Sequence, residues 1–129
     1  SSPGHSETIF DVAFHPRDPD MLATASYDGY VKLWRISSSE SQREMFAGAD
    51  QILYGLAFGP GATRICAVSG QGVLFIWRTD TGAQVLRQQV HSSQCYRCEW
   101  NAGDGDGEGE IATGGADSAA CIVDAATGN

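Results

Sequence analysis

Apolar and polar residues alternate in three short segments that align with one another, IFDVAFHP (9–16), LYGLAFGP (53–60) and CYRCEWNA (95–102). Alternation with a period of two is typical of a β-strand that buries one face. Each segment is therefore predicted to form a strand, and the aligned apolar positions are predicted to share one face. These positions are Phe10, Val12 and Phe14, then Tyr54, Leu56 and Phe58, then Tyr96, Cys98 and Trp100.

A second segment recurs after each of these strands, as LATASYDGYVKLWRI (22–36), CAVSGQGVLFIWRT (66–79) and ATGGADSAACIVDA (112–125). Each copy is predicted to form two short strands joined by a tight turn. A more polar strand follows the first two copies, as REMFAG (43–48) after the Ser-rich residues 37–42 and as QVLRQQV (84–90) after a DTG turn. The chain therefore predicts a four-stranded repeat of about 43 residues, which is the periodicity of a β-propeller.

Three features of the first repeat resemble a blade of the WD-repeat family: the Gly4-His5 pair, the strand and turn ATASYDG (23–29), and the strand VKLWRI (31–36). The resemblance covers the whole chain as three blades, at residues 1–48, 49–90 and 91–129, the third without its outer strand. It implies an all-β fold of consecutive four-stranded WD-repeat blades. Because propellers close with typically four to eight blades, we expect a partial propeller whose partners include the remaining blades of a larger ring.

In a WD-repeat blade, a histidine, a hydroxyl, an aspartate and a tryptophan form a hydrogen-bonded chain, which is strong when every member is satisfied. The resemblance implies this role for His5, Asp28 and Trp34, with Ser26 or Thr24 as the hydroxyl. The second repeat keeps only Trp77, and the third keeps His91 and Asp117 but has a valine at the tryptophan position. The implied structural residues are His5, Ser26, Asp28, Trp34, Trp77, His91 and Asp117.

The same residue types also allow a catalytic interpretation, with His5, Ser26 and Asp28 as a nucleophilic triad. That interpretation is disfavoured because Ser26 is predicted within a strand and not on an exposed nucleophile elbow. The repeat already explains these side chains. We therefore expect a non-enzymatic chain with no cofactor.

The charge balance is acidic, with 16 Asp and Glu against 8 Lys and Arg and a net charge of −8. Residues 101–129 contain six acids and no Lys or Arg. Binding to phosphates requires clustered basic side chains, so nucleic acid and anionic membranes are not expected partners. The first ten residues lack the pattern of a secretory signal, and an intracellular location is expected, in the cytoplasm or the nucleus.

Cys95 and Cys98 form a CxxC motif, which raises the possibility of a zinc site. The surrounding residues alternate as a strand does, and in a regular strand residues three apart point to opposite faces. The cysteines are therefore predicted to pack as small apolar side chains, with no metal site.

The segment DGDGEGE (104–110) alternates glycine with carboxylates, as calcium loops do. An EF-hand loop starting at Asp104 requires a bidentate acid at its twelfth position, which is Gly115 here. The segment also adds about three to four residues between the first two strands of the third repeat, relative to the other two repeats. It is therefore predicted to be a solvated inserted loop, with weak cation binding left open.

These observations predict a scaffold for protein–protein interaction, because rigid blades hold variable loops at their edges. An acidic surface favours a basic partner, such as a Lys- or Arg-rich peptide. The alternative is a purely structural segment of a trafficking or ciliary assembly protein that binds its partners elsewhere. The candidate contact residues are Arg17, Asp18, Tyr27, Tyr30, Asp104, Asp106 and Glu108.

Overall fold

A computed structural model describes residues 9–38, 40–48, 51–59, 63–92, 94–101, 109–115 and 120–124. The described residues form strands and turns and contain no helix, which confirms the predicted all-β class. The strands are β1 (Ile9–Phe14), β2 (Met21–Ser26), β3 (Tyr30–Arg35), β4 (Glu40–Phe46), β5 (Leu53–Phe58), β6 (Arg64–Ser69), β7 (Val73–Arg78), β8 (Gln84–Gln89), β9 (Cys95–Asn101), β10 (Glu110–Gly115) and β11 (Ala120–Asp124).

The strands form three antiparallel sheets in which each strand pairs with the next one along the chain. Sheet 1 contains β1 to β4, sheet 2 contains β5 to β8, and sheet 3 contains β9 to β11. Strand β4 begins at Glu40, which pairs with Arg35 of β3. The prediction that residues 37–42 form a Ser-rich connection is therefore wrong for its second half, because backbone pairing to β3 holds this polar stretch as an edge strand.

The turn between the second and third strands is built in the same way in sheets 1 and 2. Gly29 and Gly72 both adopt positive φ, 82° and 79°, and each donates its backbone N–H to the carbonyl of a serine three residues earlier, Ser26 or Ser69. A Cβ atom on Gly29 would lie 2.4 Å from the backbone oxygen of Gly48. Glycine is required there both by the conformation and by the space.

The core consists of two apolar clusters, one between each pair of neighbouring sheets. Each sheet has two faces. The face that carries Val12 in sheet 1, Leu56 in sheet 2 or Cys98 in sheet 3 is called the front face, and the opposite one is called the back face. The back face of sheet 1 packs on the front face of sheet 2, where Phe75 and Trp77 are buried. The back face of sheet 2 packs on the front face of sheet 3 in the same way. Burial of these faces is the main stabilising contribution.

Strands β1, β5 and β9 lie next to one another at the inner edges of the three sheets. Each contains a β-bulge near its start, where the register shifts by one residue. The unpaired residues are Phe10, Tyr54 and Tyr96. A bulge redirects the side chain of the extra residue.

The bulges overturn two predictions. Leu53 and Leu56, three residues apart, both enter the first core cluster, and Tyr54 does not. The prediction that the first aromatic residue of each segment shares the buried face is therefore wrong. Cys95 and Cys98 both enter the second cluster, so the prediction that they point to opposite faces is also wrong. Because the bulge adds one residue between them, both cysteines of the CxxC motif point to the same face of sheet 3.

Candidate functional site

The three bulged aromatic residues form a continuous row across the inner edges of the sheets. The ring centroids of Phe10 and Tyr54 are 4.8 Å apart, and those of Tyr54 and Tyr96 are 5.2 Å apart. Both pairs are tilted, as aromatic pairs with favourable edge and face contacts are. We call Phe10, Tyr54 and Tyr96 the aromatic row. It exists because the same bulge recurs in each repeat with an aromatic side chain at the same place.

The aromatic row is accessible at both ends, since Phe10 is 41% exposed and Tyr96 is 43% exposed. Tyr27, which is 49% exposed, extends it, with its ring centroid 6.3 Å from that of Phe10. Tyr54 lies against Gly70, where a Cβ atom would come within 3.0 Å of the tyrosine ring. The tyrosine hydroxyl of Tyr96 donates a hydrogen bond to Gln94 Oε1.

The predicted contact residues do not form one surface. Tyr27 lies beside the aromatic row in the β2–β3 turn, and the Tyr30 ring packs on Phe46 at 4.6 Å. Arg17 and Asp18 lie in the β1–β2 turn, at the opposite end of sheet 1, and a six-residue strand spans roughly 20 Å. Asp104, Asp106 and Glu108 lie outside the described residues.

The β1–β2 turn is held by its own polar contacts. His15 Nδ1 accepts hydrogen bonds from the backbone N–H groups of Arg17 and Asp18, at 3.0 and 2.9 Å. Asp20 accepts from the Ser37 hydroxyl at 2.8 Å, and the pKa of its carboxyl is lowered by this bond and by Arg35. These contacts fix the turn in place, which gives its polar residues a structural role.

Parts of the hydrogen-bonded chain implied by the resemblance are present in two repeats. In sheet 1, Trp34 Nε1 donates to Thr24 Oγ1 at 2.9 Å. In the third repeat, the Nε2 atom of His91, which precedes β9, lies 2.8 Å from Thr113 Oγ1, and both side chains are buried. Thr24 and Thr113 occupy the same position in their repeats. Of the two hydroxyls that the resemblance offered in the first repeat, Thr24 is the one bonded to Trp34, and Ser26 accepts a hydrogen bond from the backbone N–H of Asp28 at 3.3 Å.

Thr113 had not been singled out from the sequence, although a signal was present. The pair Ala-Thr occurs at residues 23–24 and again at 112–113, at the same place in the repeat. In sheet 2 the equivalent position is Ala67, and Trp77 instead stacks on Phe75, with ring centroids 5.4 Å apart and planes 8° apart. Asp28 Oδ1 accepts from the backbone N–H of Tyr30 at 3.0 Å. His5 and Asp117 lie outside the described residues.

A groove of about 490 Å³ runs along β1, β5 and β9 below the aromatic row. Its charged side chains have both signs, Asp11 and Glu99 against Arg17 and Arg97. Asp11 is already engaged, because its carboxylate accepts hydrogen bonds from the backbone N–H groups of Val12 and Leu56, at 2.9 and 3.0 Å. The bond to Leu56 joins sheet 1 to sheet 2. The groove therefore favours no one class of charged ligand.

Within the part of the chain that the structure describes, no group of three or more His, Cys, Asp or Glu side chains is placed to hold a metal ion. The same residues contain no helix long and apolar enough to cross a membrane.

Three sheets of sequentially paired antiparallel strands, packed face to face and joined along their inner strands, define the class of propeller blades. Comparison with known proteins agrees with this class. Residues 1–35 match the family model described as WD domain, G-beta repeat.

Relatives that contain similar segments include coronin-7 from Bos taurus, which is 33% identical over 85 residues, covering 66% of this chain and 9% of coronin-7. Human WD repeat and SOCS box-containing protein 1 is 26% identical over 76 residues, covering 59% of the chain and 18% of that protein. DDB1- and CUL4-associated factor 13 from Dictyostelium discoideum is 27% identical over 89 residues, covering 69% of this chain and 20% of that protein. The chain thus spans between 9% and 20% of the length of these relatives. The sheets and the matches together support the WD-repeat family for this chain.

Proposed function

We propose that the chain is a scaffold for protein–protein interaction and that its contact surface is the aromatic row together with Tyr27. The observation that carries the proposal is the row itself: rings from three different sheets lie in contact, and three of these four side chains are more than 40% exposed. WD-repeat domains generally act as interaction scaffolds. We propose the aromatic row as the surface of this chain that contacts the partner.

The physical properties of the row suit recognition. Tyrosine and other aromatic residues are enriched among the residues that dominate binding energy at interfaces. They present a large contact area at a small cost in side-chain entropy, and here each ring stands on a paired strand. A partner that covered the row would bury apolar surface without first having to order it.

The partner that fits the row best is a peptide segment rich in Lys or Arg. A cation over an aromatic ring is attracted by the ring's negative face, and the net charge of −8 would attract a basic segment from a distance. Cations already lie over rings elsewhere in the chain: the Arg87 guanidinium lies 5.1 Å from the Phe75 centroid, and Lys32 Nζ lies 5.6 Å from the Tyr30 centroid.

The proposal predicts that truncating the central ring weakens binding of a basic peptide. Fluorescence anisotropy of a labelled peptide of alternating Arg and Gly would be measured against the chain, with an alternating Glu and Gly peptide for comparison. Tyr54→Ala should raise the Kd for the Arg peptide about tenfold or more, a change typical of an interface hot spot. Phe46→Ala is the matched control, since Phe46 is an exposed aromatic residue that packs on Tyr30 outside the row, and it should change the Kd less than about twofold.

Equal binding of the two peptides, or equal effects of the two variants, would contradict the proposed surface. Raising the salt concentration from low to physiological should also weaken binding of the Arg peptide, because part of the attraction is between exposed charges. If neither peptide binds the folded chain, the alternative is favoured, in which the segment is a structural part of a trafficking or ciliary assembly protein.

We also propose a more specific relationship within the family. The segments ETIFDVAFHPRDPDMLATASYDGYVKLW (7–34), ILYGLAFGPG (52–61) and GVLFIW (72–77) resemble WD repeat-containing protein 17 of animals. An alignment with that protein should extend over all three repeats at an identity well above the 33% shared with coronin-7. An identity at or below that value would contradict the relationship.

A further inference from the structure

Three cysteine side chains are buried in the core between sheet 2 and sheet 3. Cys66 lies on the back face of β6, and Cys95 and Cys98 lie on the facing side of β9. All three are buried, and none of them is in a disulfide bond. The sulfurs of Cys66 and Cys98 are 3.5 Å apart and share a hydrogen bond. These two residues belong to different repeats, so their contact crosses the junction between two sheets.

The bulge in β9 decides which thiols meet. Its extra residue, Tyr96, leaves Cys98 paired with Thr113 and Cys95 paired with Gly115. Cys98 then faces Cys66, and the thiol of Cys95 donates to the backbone oxygen of Gly114 at 3.4 Å. The CxxC motif is therefore divided between two environments, and Cys98 is the member of the motif whose sulfur lies in contact with that of Cys66.

We propose that Cys66 and Cys98 form a reversible disulfide that joins sheet 2 to sheet 3 when the chain meets an oxidant of the small disulfide class, such as glutathione disulfide. This inference is independent of the proposed function. A sulfur–sulfur bond is about 2.05 Å long, so the two sulfurs must approach by about 1.5 Å from their present contact. Both lie on paired strands of packed sheets, which keeps them facing each other.

The reaction is a thiol–disulfide exchange in two steps. One cysteine, as the thiolate, attacks a sulfur of glutathione disulfide, forms a mixed disulfide and releases one glutathione thiolate. The second cysteine loses its proton, attacks the protein sulfur of the mixed disulfide and releases the second glutathione. The two cysteines together lose two protons and two electrons, and one glutathione disulfide becomes two glutathione molecules. Excess glutathione reverses both steps.

Burial sets the rate of this reaction. The contact with Cys66 and the removal from water raise the pKa of the Cys98 thiol well above its ordinary value near 9.0. Few thiolates are therefore available in the closed core, and the oxidant has no access to it. The pair should stay reduced in brief exposures and react when sheets 2 and 3 part transiently. The bond would then fix the junction that also carries Tyr54 and Tyr96.

Peptide mapping of the oxidised chain tests this proposal. The chain carrying Cys121→Ser is equilibrated with glutathione disulfide, unreacted thiols are alkylated in denaturant, and the chain is digested with trypsin. Cleavage after Arg64, Arg78, Arg87 and Arg97 places Cys66, Cys95 and Cys98 on separate peptides. Peptide 65–78 is expected to be linked to peptide 98–129, and the link should disappear on reduction. Mild urea should accelerate its formation.

Variants identify the partners independently. Cys66→Ala and Cys98→Ala should abolish the link, and Cys95→Ala should leave it intact, with circular dichroism to confirm that each variant folds. The mapping of the parent chain does not depend on these variants. The proposal is overturned if peptide 65–78 is linked to 88–97 instead, if the cysteines stop at mixed disulfides with glutathione, or if all three remain alkylated at equilibrium.

Discussion

Replacing Trp77 with alanine is expected to lower the free energy of unfolding by about 3–5 kcal/mol. Trp77 is 2% exposed and stacks on Phe75 between sheet 1 and sheet 2. Its removal leaves a cavity in a core that joins two repeats, so the loss includes both the apolar transfer energy and the cavity. Because small domains are stable by about 5–15 kcal/mol, the variant should be close to unfolding. Urea titration followed by circular dichroism measures the loss.

Trp34→Ala is the control for this prediction, because Trp34 stands at the same position in sheet 1. The indole of Trp34 donates to Thr24 but is only partly buried. Its loss should cost roughly 1–2 kcal/mol, from one hydrogen bond and a smaller buried area. Equal losses at the two tryptophans would show that the two sheets are equally covered, which contradicts the packing described above.

Thr113→Val is expected to lower the free energy of unfolding by about 1–3 kcal/mol, although valine has nearly the same shape as threonine. The substitution removes the hydroxyl that lies 2.8 Å from His91 Nε2 in a buried site. The imidazole nitrogen would then lose this partner while remaining away from water, and burying a polar group without its hydrogen bond is costly. The urea midpoint of the variant measures the effect.

Thr24→Val is the matched control for the threonine prediction. It removes the acceptor for Trp34 Nε1, but the partly buried indole can donate to water instead. The loss should therefore be smaller than for Thr113→Val. A larger loss for Thr24→Val than for Thr113→Val would contradict the expectation that the buried His91–Thr113 contact stabilises the fold more than the Trp34–Thr24 contact.

Much of the fold could be predicted from the sequence because the same pattern of apolar and polar residues occurs three times. A single apolar segment such as 53–60 is weak evidence, but its alignment with 9–16 and 95–102 gives strands, turns and the order of the repeats together. The fixed place of Gly29 and Gly72 in the turns also follows from the sequence, since their positive φ values favour glycine.

The bulges could not be predicted from alternation alone. Each of the three strands begins with two consecutive nonpolar residues, Ile9-Phe10, Leu53-Tyr54 and Cys95-Tyr96. Alternation does not determine which member of such a pair is buried. Pairing with the neighbouring strand determines it: Leu53 pairs with Ser69 and Gly55 with Val68, which leaves Tyr54 as the extra residue. The double apolar start was visible in all three repeats and is the signal that indicated a bulge.

The candidate site was only partly predictable for the same reason. Tyr27 was a candidate contact residue because it lies in a turn, and the structure places it beside Phe10. Alternation predicts that Tyr54 and Tyr96 share the buried face of their strands, so it does not predict the aromatic row. The sequence shows that Arg17, Asp18 and Tyr27 all lie in turns, but it does not show that these turns are far apart. Successive turns of an antiparallel sheet lie at opposite ends.

The central claim is that an identical bulge in each repeat brings Phe10, Tyr54 and Tyr96 into one row. Nuclear Overhauser spectroscopy of the labelled chain tests it most directly, because centroid separations of 4.8 and 5.2 Å bring ring protons into range. Cross-peaks are expected between the rings of Phe10 and Tyr54 and between those of Tyr54 and Tyr96. A folded chain with dispersed signals in which Tyr54 shows cross-peaks to neither ring would contradict the account.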